Sequence, residues 1–238
     1  MSKAITTTVT DMNPVLPAYL ESSSGNGLEH LGAEDVEMPR LSLAQAMSDQ
    51  VNAAHSDHIT GLAVGDFFNS VSGEVYKQPL RFAILCAYIP RGMEFAPLEQ
   101  GGGVVDRSVA LNDPRMLFGP NGEVPIATRF YDYVLMLNPG AGEEMISMSL
   151  ARSGVKAAKS LNGLARMRGT DIYTGIYTAE SVAKTAQQGS YMTWRFRNSG
   201  FITEDLVERY RASHVSLKEA AVINEISDAS GPPDVEVM

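Results

Sequence analysis

A mainly β fold with helices, in the α+β class, is predicted by three observations. Roughly six or seven apolar, β-branched or aromatic runs are separated by turns rich in Gly and Pro. One run of helical period, Arg152–Met167, interrupts them. A second, opening at Thr203, follows the last of them. The chain has 238 residues, 44% apolar and 20% charged, enough for one large domain with flanks.

Residues 1–37 hold few large apolar side chains and include Ser22-Ser23-Ser24-Gly25-Asn26-Gly27. Such a segment buries too little to offset its chain entropy, so a flexible acidic arm is expected. Pro39 pushes Met38 toward an extended backbone. Arg40–Met47 then fits a short strand or a helix equally. Gly61–Asp66 is a turn leading into Phe67–Val71, which pairs through Ser72-Gly73-Glu74 with Val75-Tyr76 as a hairpin. Leu80–Ile89, bounded by Pro79 and Pro90, reads as a central strand.

Arg91–Glu123 contains Gly101-Gly102-Gly103, Asp113-Pro114 and Gly119-Pro120-Asn121-Gly122 and is expected to be a long connection. Ile126–Leu137 alternates Arg129, Tyr131, Tyr133 and Leu135 with Phe130, Asp132, Val134 and Met136, the period of a strand. Met145–Leu150 returns after the Pro139–Gly142 turn. Asp171–Thr178, Ser181–Thr185 and Ser190–Asn198 are further strands, with Gln187-Gln188-Gly189 as a hairpin turn. Thr203 is a candidate N-cap before Glu204 and Asp205. That helix is expected to reach about Ile226, with a break near His214, and Gly231-Pro232-Pro233 ends regular structure.

Strands, a helix, strands and a helix in this order suit an OB-like small β-barrel with an inserted helix, a C-terminal helix and flexible flanks. A sandwich with a side helix is the competing architecture. The expected divisions are an arm over 1–37, an OB-like core with an N-terminal extension over 38–213, and a helix end with an acidic tail over 214–238.

Several functions are disfavoured. The single cysteine, Cys86, permits no internal disulfide and no multi-cysteine metal site. Its apolar strand marks it as a small core residue rather than a nucleophile. No phosphate-binding G-x-x-x-x-G-K-[ST] loop or G-x-S-x-G elbow occurs. His55-Ser56-Asp57-His58 lies in a polar turn, where a surface role outweighs metal binding. A non-enzyme with no cofactor and no metal is therefore expected. There is no apolar run of about eighteen residues, so no membrane partner is expected. The start of the chain does not read as a secretory signal, which leaves a reducing, intracellular setting.

Charge sharpens the picture. The net charge is −9, yet Met1–Val75 carries −8, Tyr76–Ser213 carries +3 and His214–Met238 carries −4. A mildly basic centre lies between acidic flanks, which suits a binding core. On the Arg152–Met167 helix, Arg152, Lys156, Lys159 and Arg166 fall near one face. This is either an ordinary solvated face or a row of phosphate contacts. In Ser190–Asn198, Tyr191, Arg195 and Arg197 share a face, and in Ile126–Leu137 Arg129 and Tyr131 repeat that pairing. Tyr173 and Tyr177 join them if Asp171–Thr178 is extended. Rings on which bases stack, beside cations that follow the backbone, are what single-strand binding needs. Aromatic-rich strands are also ordinary sheet core.

The segments Met38–Ser48, His58–Asn69 and Gly73–Lys77 resemble a widespread group of tailed-bacteriophage proteins. The shared succession is "PRL-x-L-x-Q…S", "I-x-G-x-x-x-G-D-x-x-N" and "T/S-G-E-x-Y". Ile146–Lys159 and the hairpin Lys184–Trp194 are similar as well, so the likeness covers roughly Glu34–Arg211. It implies an OB-like fold and single-stranded DNA binding in phage replication or recombination, in the host cell cytoplasm. The basic, aromatic segment expected of that group between Ala87 and Gly101 is missing here. The acidic end Asp234–Met238 resembles in kind the tails of other single-strand binders, which implies replication proteins as partners or competition for the groove. Homo-oligomerisation fits the same reading. A virion structural or assembly protein is the alternative class.

Overall fold

The computed structural model describes residues 37–97, 99, 103–186 and 189–229, the last nine of them as backbone alone. The arm over 1–36, the Gln187-Gln188 turn and residues 230–238 lie outside the described residues.

The class is the expected one. Ten strands and two helices are described. Three short strands, β1 (Leu41–Leu43), β2 (Phe67–Asn69) and β3 (Val75–Tyr76), form a small antiparallel sheet. Seven form the main antiparallel sheet. These are β4 (Leu80–Ala87), β5 (Arg91–Phe95), β6 (Val104–Val109), β7 (Ala127–Leu137), β8 (Glu144–Ala151), β9 (Gly175–Ala186) and β10 (Gly189–Phe201).

β7 organises the main sheet. Its C-terminal half pairs with β4 and its N-terminal half with β5, end to end on one side. β8 pairs along the opposite side, from Phe130↔Ala151 to Leu137↔Glu144. β9 and β10 extend the sheet beyond β4, and β6 lies outside β5. Both faces of β7 are apolar, which is why it sits in the middle. Tyr131, Tyr133, Leu135 and Leu137 join one core cluster, and Val134 and Met136 join another.

Each face has its own cover. α1 (Val155–Met167) inserts Ala157, Ala158 and Leu161 into the first cluster. The Tyr133 hydroxyl donates to Asn162 Oδ1 at 2.9 Å and ties the helix to β7. α2 (Glu204–Ala229) covers the second face with Leu206 and Tyr210. The break expected near His214 is absent. The helix runs through it, and the His214 ring donates from Nδ1 to the Leu85 carbonyl at 2.7 Å.

Three further expectations are corrected. First, the barrel is not closed: the sheet is open, with no ladder joining β8 to β10 among the described residues. The small sheet and the residues flanking it, over 37–78, instead act as a clasp that ties the two edges. Ser147 N–H donates to the Pro39 carbonyl at one side. At the other, the Gln45 side chain both donates to the Met192 carbonyl and accepts from its N–H, at 3.0 and 2.9 Å. Second, Arg91–Glu123 is not merely a connection but holds β5, β6 and a turn at Pro114–Met116. The Arg115 guanidinium holds these together, bonding Glu94, Asp106 and Asp113 at 2.7, 3.0 and 2.9 Å. The Ser108 N–H together with Arg115 holds the Asp106 carboxyl below its usual range, and Arg115 does the same for Asp113. Third, Asp171–Thr178 is not one extended run. A single turn at Ile172–Thr174 precedes β9, which merges the two strands expected on either side of Ala179.

Candidate nucleic-acid interface

The expected site residues divide between two faces of the sheet and its interior. Tyr131, Tyr173 and Tyr177 are 8%, 4% and 1% exposed. They are core rings, so the exposed stacking platform expected of them is corrected. Tyr177 packs at 5.7 Å from Phe82 in the α1-side cluster, and Tyr173 belongs to the α2-side cluster. The turn at Ile172–Thr174 breaks the alternation that would have placed the two rings on one face. The Tyr173 hydroxyl donates to Asp171 at 2.7 Å and accepts from Arg211 at 3.1 Å. Arg129 and Tyr191 are half-buried.

Arg195 and Arg197 are exposed on β10, on the face opposite Phe196 and the α1-side core. Sequence reasoning passed over two cations that join them. Arg81 of β4 faces Thr178, which faces Arg197, so the three stand in one row across the strands. Lys184 lies opposite Tyr191. An acidic residue sits among these cations. Glu180 is directly across from Arg195, and its carboxylate is 3.7 Å from Arg197.

The other cations lie along α1. Arg152, Lys156, Lys159 and Arg166 are exposed, and none makes an ion pair among the described residues. No acidic residue occurs between Glu144 and Asp171. Helical period explains the arrangement. Ala157, Ala158 and Leu161 turn to the sheet, which leaves Lys156, Lys159, Gly163 and Arg166 outward. A Cβ at Gly163 would meet no atom within 4 Å, so the middle of this face is open. Arg152 precedes the helix with φ +49°, a left-handed backbone at the junction of β8 and the helix. Arg168 is different in kind. It lies 4.9 Å above the Tyr177 ring and 4.5 Å above Phe201, donating to Asn198, Gly200 and Ile176, and so braces the β10 bulge.

Three further cations are neutralised. Arg91 pairs with Asp132 at 2.9 Å, Arg209 with Glu143 at 2.7 Å, and Arg211 with Glu208 at 2.8 Å. Burial pushes the Glu143 carboxyl up, but the Gly140 N–H, the Tyr210 hydroxyl and Arg209 outweigh it and hold it below its usual range. The motif residues serve structure. Asn69 and the Tyr76 hydroxyl both donate to Glu144, each at 2.7 Å. Burial and that carboxylate push the Tyr76 phenol far above its ordinary range.

Among the described residues no group of three or more His, Cys, Asp or Glu is placed to hold a metal. His55 accepts from the Asp57 N–H, and His58 contacts the Gln50 carbonyl, both at 3.2 Å. Cys86 is 2% exposed, and burial raises its thiol. No helix among the described residues is long and apolar enough to cross a membrane.

The family model described as Pam3 phage gp34-like protein matches residues 9–222. The chain belongs to the Pam3 phage gp34-like family. The phage origin implied by the motifs is thereby established. No curated protein and no solved structure matches this gp34-like chain. The match spans the clasp, the main sheet, α1 and the described side chains of α2, so both cationic faces belong to the gp34-like unit.

Proposed function

We propose that this gp34-like chain is a non-catalytic single-stranded DNA-binding protein of a phage, acting in DNA replication or recombination. The observation that carries the reading is the acid-free face of α1, where Arg152, Lys156, Lys159 and Arg166 are exposed without ion-pair partners among the described residues. Each cation that neutralises a phosphate releases condensed counterions, so binding is favoured by entropy and sequence-tolerant. The outer face of the β9–β10 hairpin is the weaker candidate, because Glu180 opposes Arg195 and Arg197. Tyr191 is the one expected ring there that is not core. A titration of labelled oligothymidylate and of duplex DNA, followed by anisotropy, tests the reading. Tighter binding of the single strand is expected. Absence of binding at low salt contradicts the proposal.

A virion structural or assembly role is the second reading. It is favoured by the exposed apolar residues beyond β6, where Phe118, Val124 and Ile126 are 72%, 81% and 65% exposed. Mass spectrometry of purified virions tests it: stoichiometric presence of the chain supports this second reading.

A further inference from the structure

Between β1 and the edges of β8 and β10 lies a cleft of about 390 Å³. Arg40, Ser42 of β1, Ser48, Gln50, Ser70 and Trp194 line it, and no acidic residue does. The Gln50 amide offers both a donor and an acceptor, and the other polar groups can donate. The Arg40 guanidinium has no ion-pair partner among the described residues, and its ties to Ser70 run through its backbone N–H and carbonyl. The Ser48 and Ser70 oxygens accept from the Gln45 and Arg40 N–H groups, which leaves their hydroxyl protons to give. Among the described residues the Trp194 indole N–H has no protein acceptor, and every buried side-chain nitrogen or oxygen there has a partner, so this group is not fully buried. The Gln45 amide is already taken by Met192. Ser149, also on the wall, donates to Asp132 and is likewise taken.

A permanent cation, hydroxyls and an indole N–H around an acid-free space select an anion with several acceptor oxygens. Leu41, Leu43 and Phe68 on the same wall offer apolar contact beside it. A phosphate joined to a sugar and base matches both halves. The position fits as well. Ser149 precedes Arg152 by three residues, so the cleft lies within about 10 Å of the start of the α1 cations.

We infer that this cleft seats one nucleotide unit of the bound strand, its phosphate on Arg40 and its base or sugar against Trp194. The strand then runs from the clasp onto α1. The inference rests on the proposed single-strand binding and adds where the strand ends its path. Neither Arg40 nor Trp194 stood out from the sequence as a contact, since Arg40 sits in a family motif and Trp194 on the core side of its strand.

Trp194 is the only tryptophan of the chain, so its emission reports on the cleft. The test titrates the full-length protein with unlabelled oligothymidylate while Trp194 emission is read, and with labelled oligothymidylate while anisotropy is read. Emission is expected to change in step with anisotropy. Arg40→Ala is expected to weaken binding about five- to tenfold and to lower the salt slope by about 0.7, the loss of one phosphate contact to a single strand. Its melting temperature should hold, and Arg40→Gln, which keeps most of the stem, repeats the test if it does not. Strand binding with unchanged emission and unchanged affinity in the Arg40 variants overturns the cleft and leaves the α1 reading intact. No strand binding by the wild-type chain overturns both.

Discussion

The N-terminal clasp and the outer face of α1 are both polar, yet they differ in where their polar groups go. In the clasp the Gln45, Asn69 and Gln78 side-chain amides and the Tyr76 hydroxyl are spent. Gln45 is locked onto Met192, Gln78 donates to the Gly65 carbonyl and accepts from the Ser181 N–H, and Asn69 with Tyr76 converges on Glu144. On α1, Lys156, Lys159 and Arg166 meet no ion-pair partner among the described residues. The lesson is that polar side chains locked onto distant partners fasten the fold. The surface suited to a ligand is the one whose charges are left over.

Four changes test that contrast, ordered from the largest expected effect. Phe67 is fully buried and stacks on Trp194 at 4.5 Å. Phe67→Ala should cost about 3–5 kcal/mol by removing the contact between the clasp and β10, measured by chemical denaturation. Glu144→Ala strands the Asn69 amide and the Tyr76 hydroxyl inside the structure and should cost about 2–3 kcal/mol. A loss below about 0.5 kcal/mol in either variant would mean that the clasp is not what holds the sheet edges together.

The third change concerns pH. The Glu143 carboxyl is held below its usual range in the folded chain. Its contribution is therefore present above the unfolded value and is lost as pH falls through the folded one. Glu143→Gln should lower stability by about 1 kcal/mol near neutral pH. It should also flatten the fall in melting temperature on acidification, as followed by circular dichroism. An equally steep acid limb in the variant would assign that fall to other carboxylates.

The smallest stability effect belongs to α1. Replacing Lys156, Lys159 and Arg166 together by Gln should change stability by less than about 0.5 kcal/mol, because these exposed side chains form no ion pair among the described residues. The same variant should lose most single-strand affinity. If instead its stability falls by more than about 1 kcal/mol, the face is structural and the contrast with the clasp disappears.

Much of the fold could be read from local pattern. The alternation of Ile126–Leu137 placed both faces of β7 correctly, and the helical run of α1 exposed the expected cations. What could not be read depends on distant partners. β5 and β6 hide among Gly, Pro and charged residues, because the Arg115 network rather than an apolar period holds them. The burial of Tyr131, Tyr173 and Tyr177 follows from both faces of the sheet being covered, by α1 on one side and α2 on the other. No local period announces that. Strand number, an inserted helix and the family resemblance all suit a closed barrel, whereas the clasp bridges the gap through Gln45 and Pro39, contacts far apart in sequence.

The central claim is that unpaired α1 cations bind the phosphates of a single strand. The most direct measurement is the salt dependence of oligothymidylate affinity for the wild-type chain and the Lys156, Lys159 and Arg166 to Gln variant. The four cations of the α1 face, counting Arg152, are expected to contribute about −2.8 to the wild-type slope of log affinity against log salt, and the variant is expected to keep only about −0.7 of that contribution. Equal slopes for the two proteins, or no binding by the wild-type chain, would contradict the account.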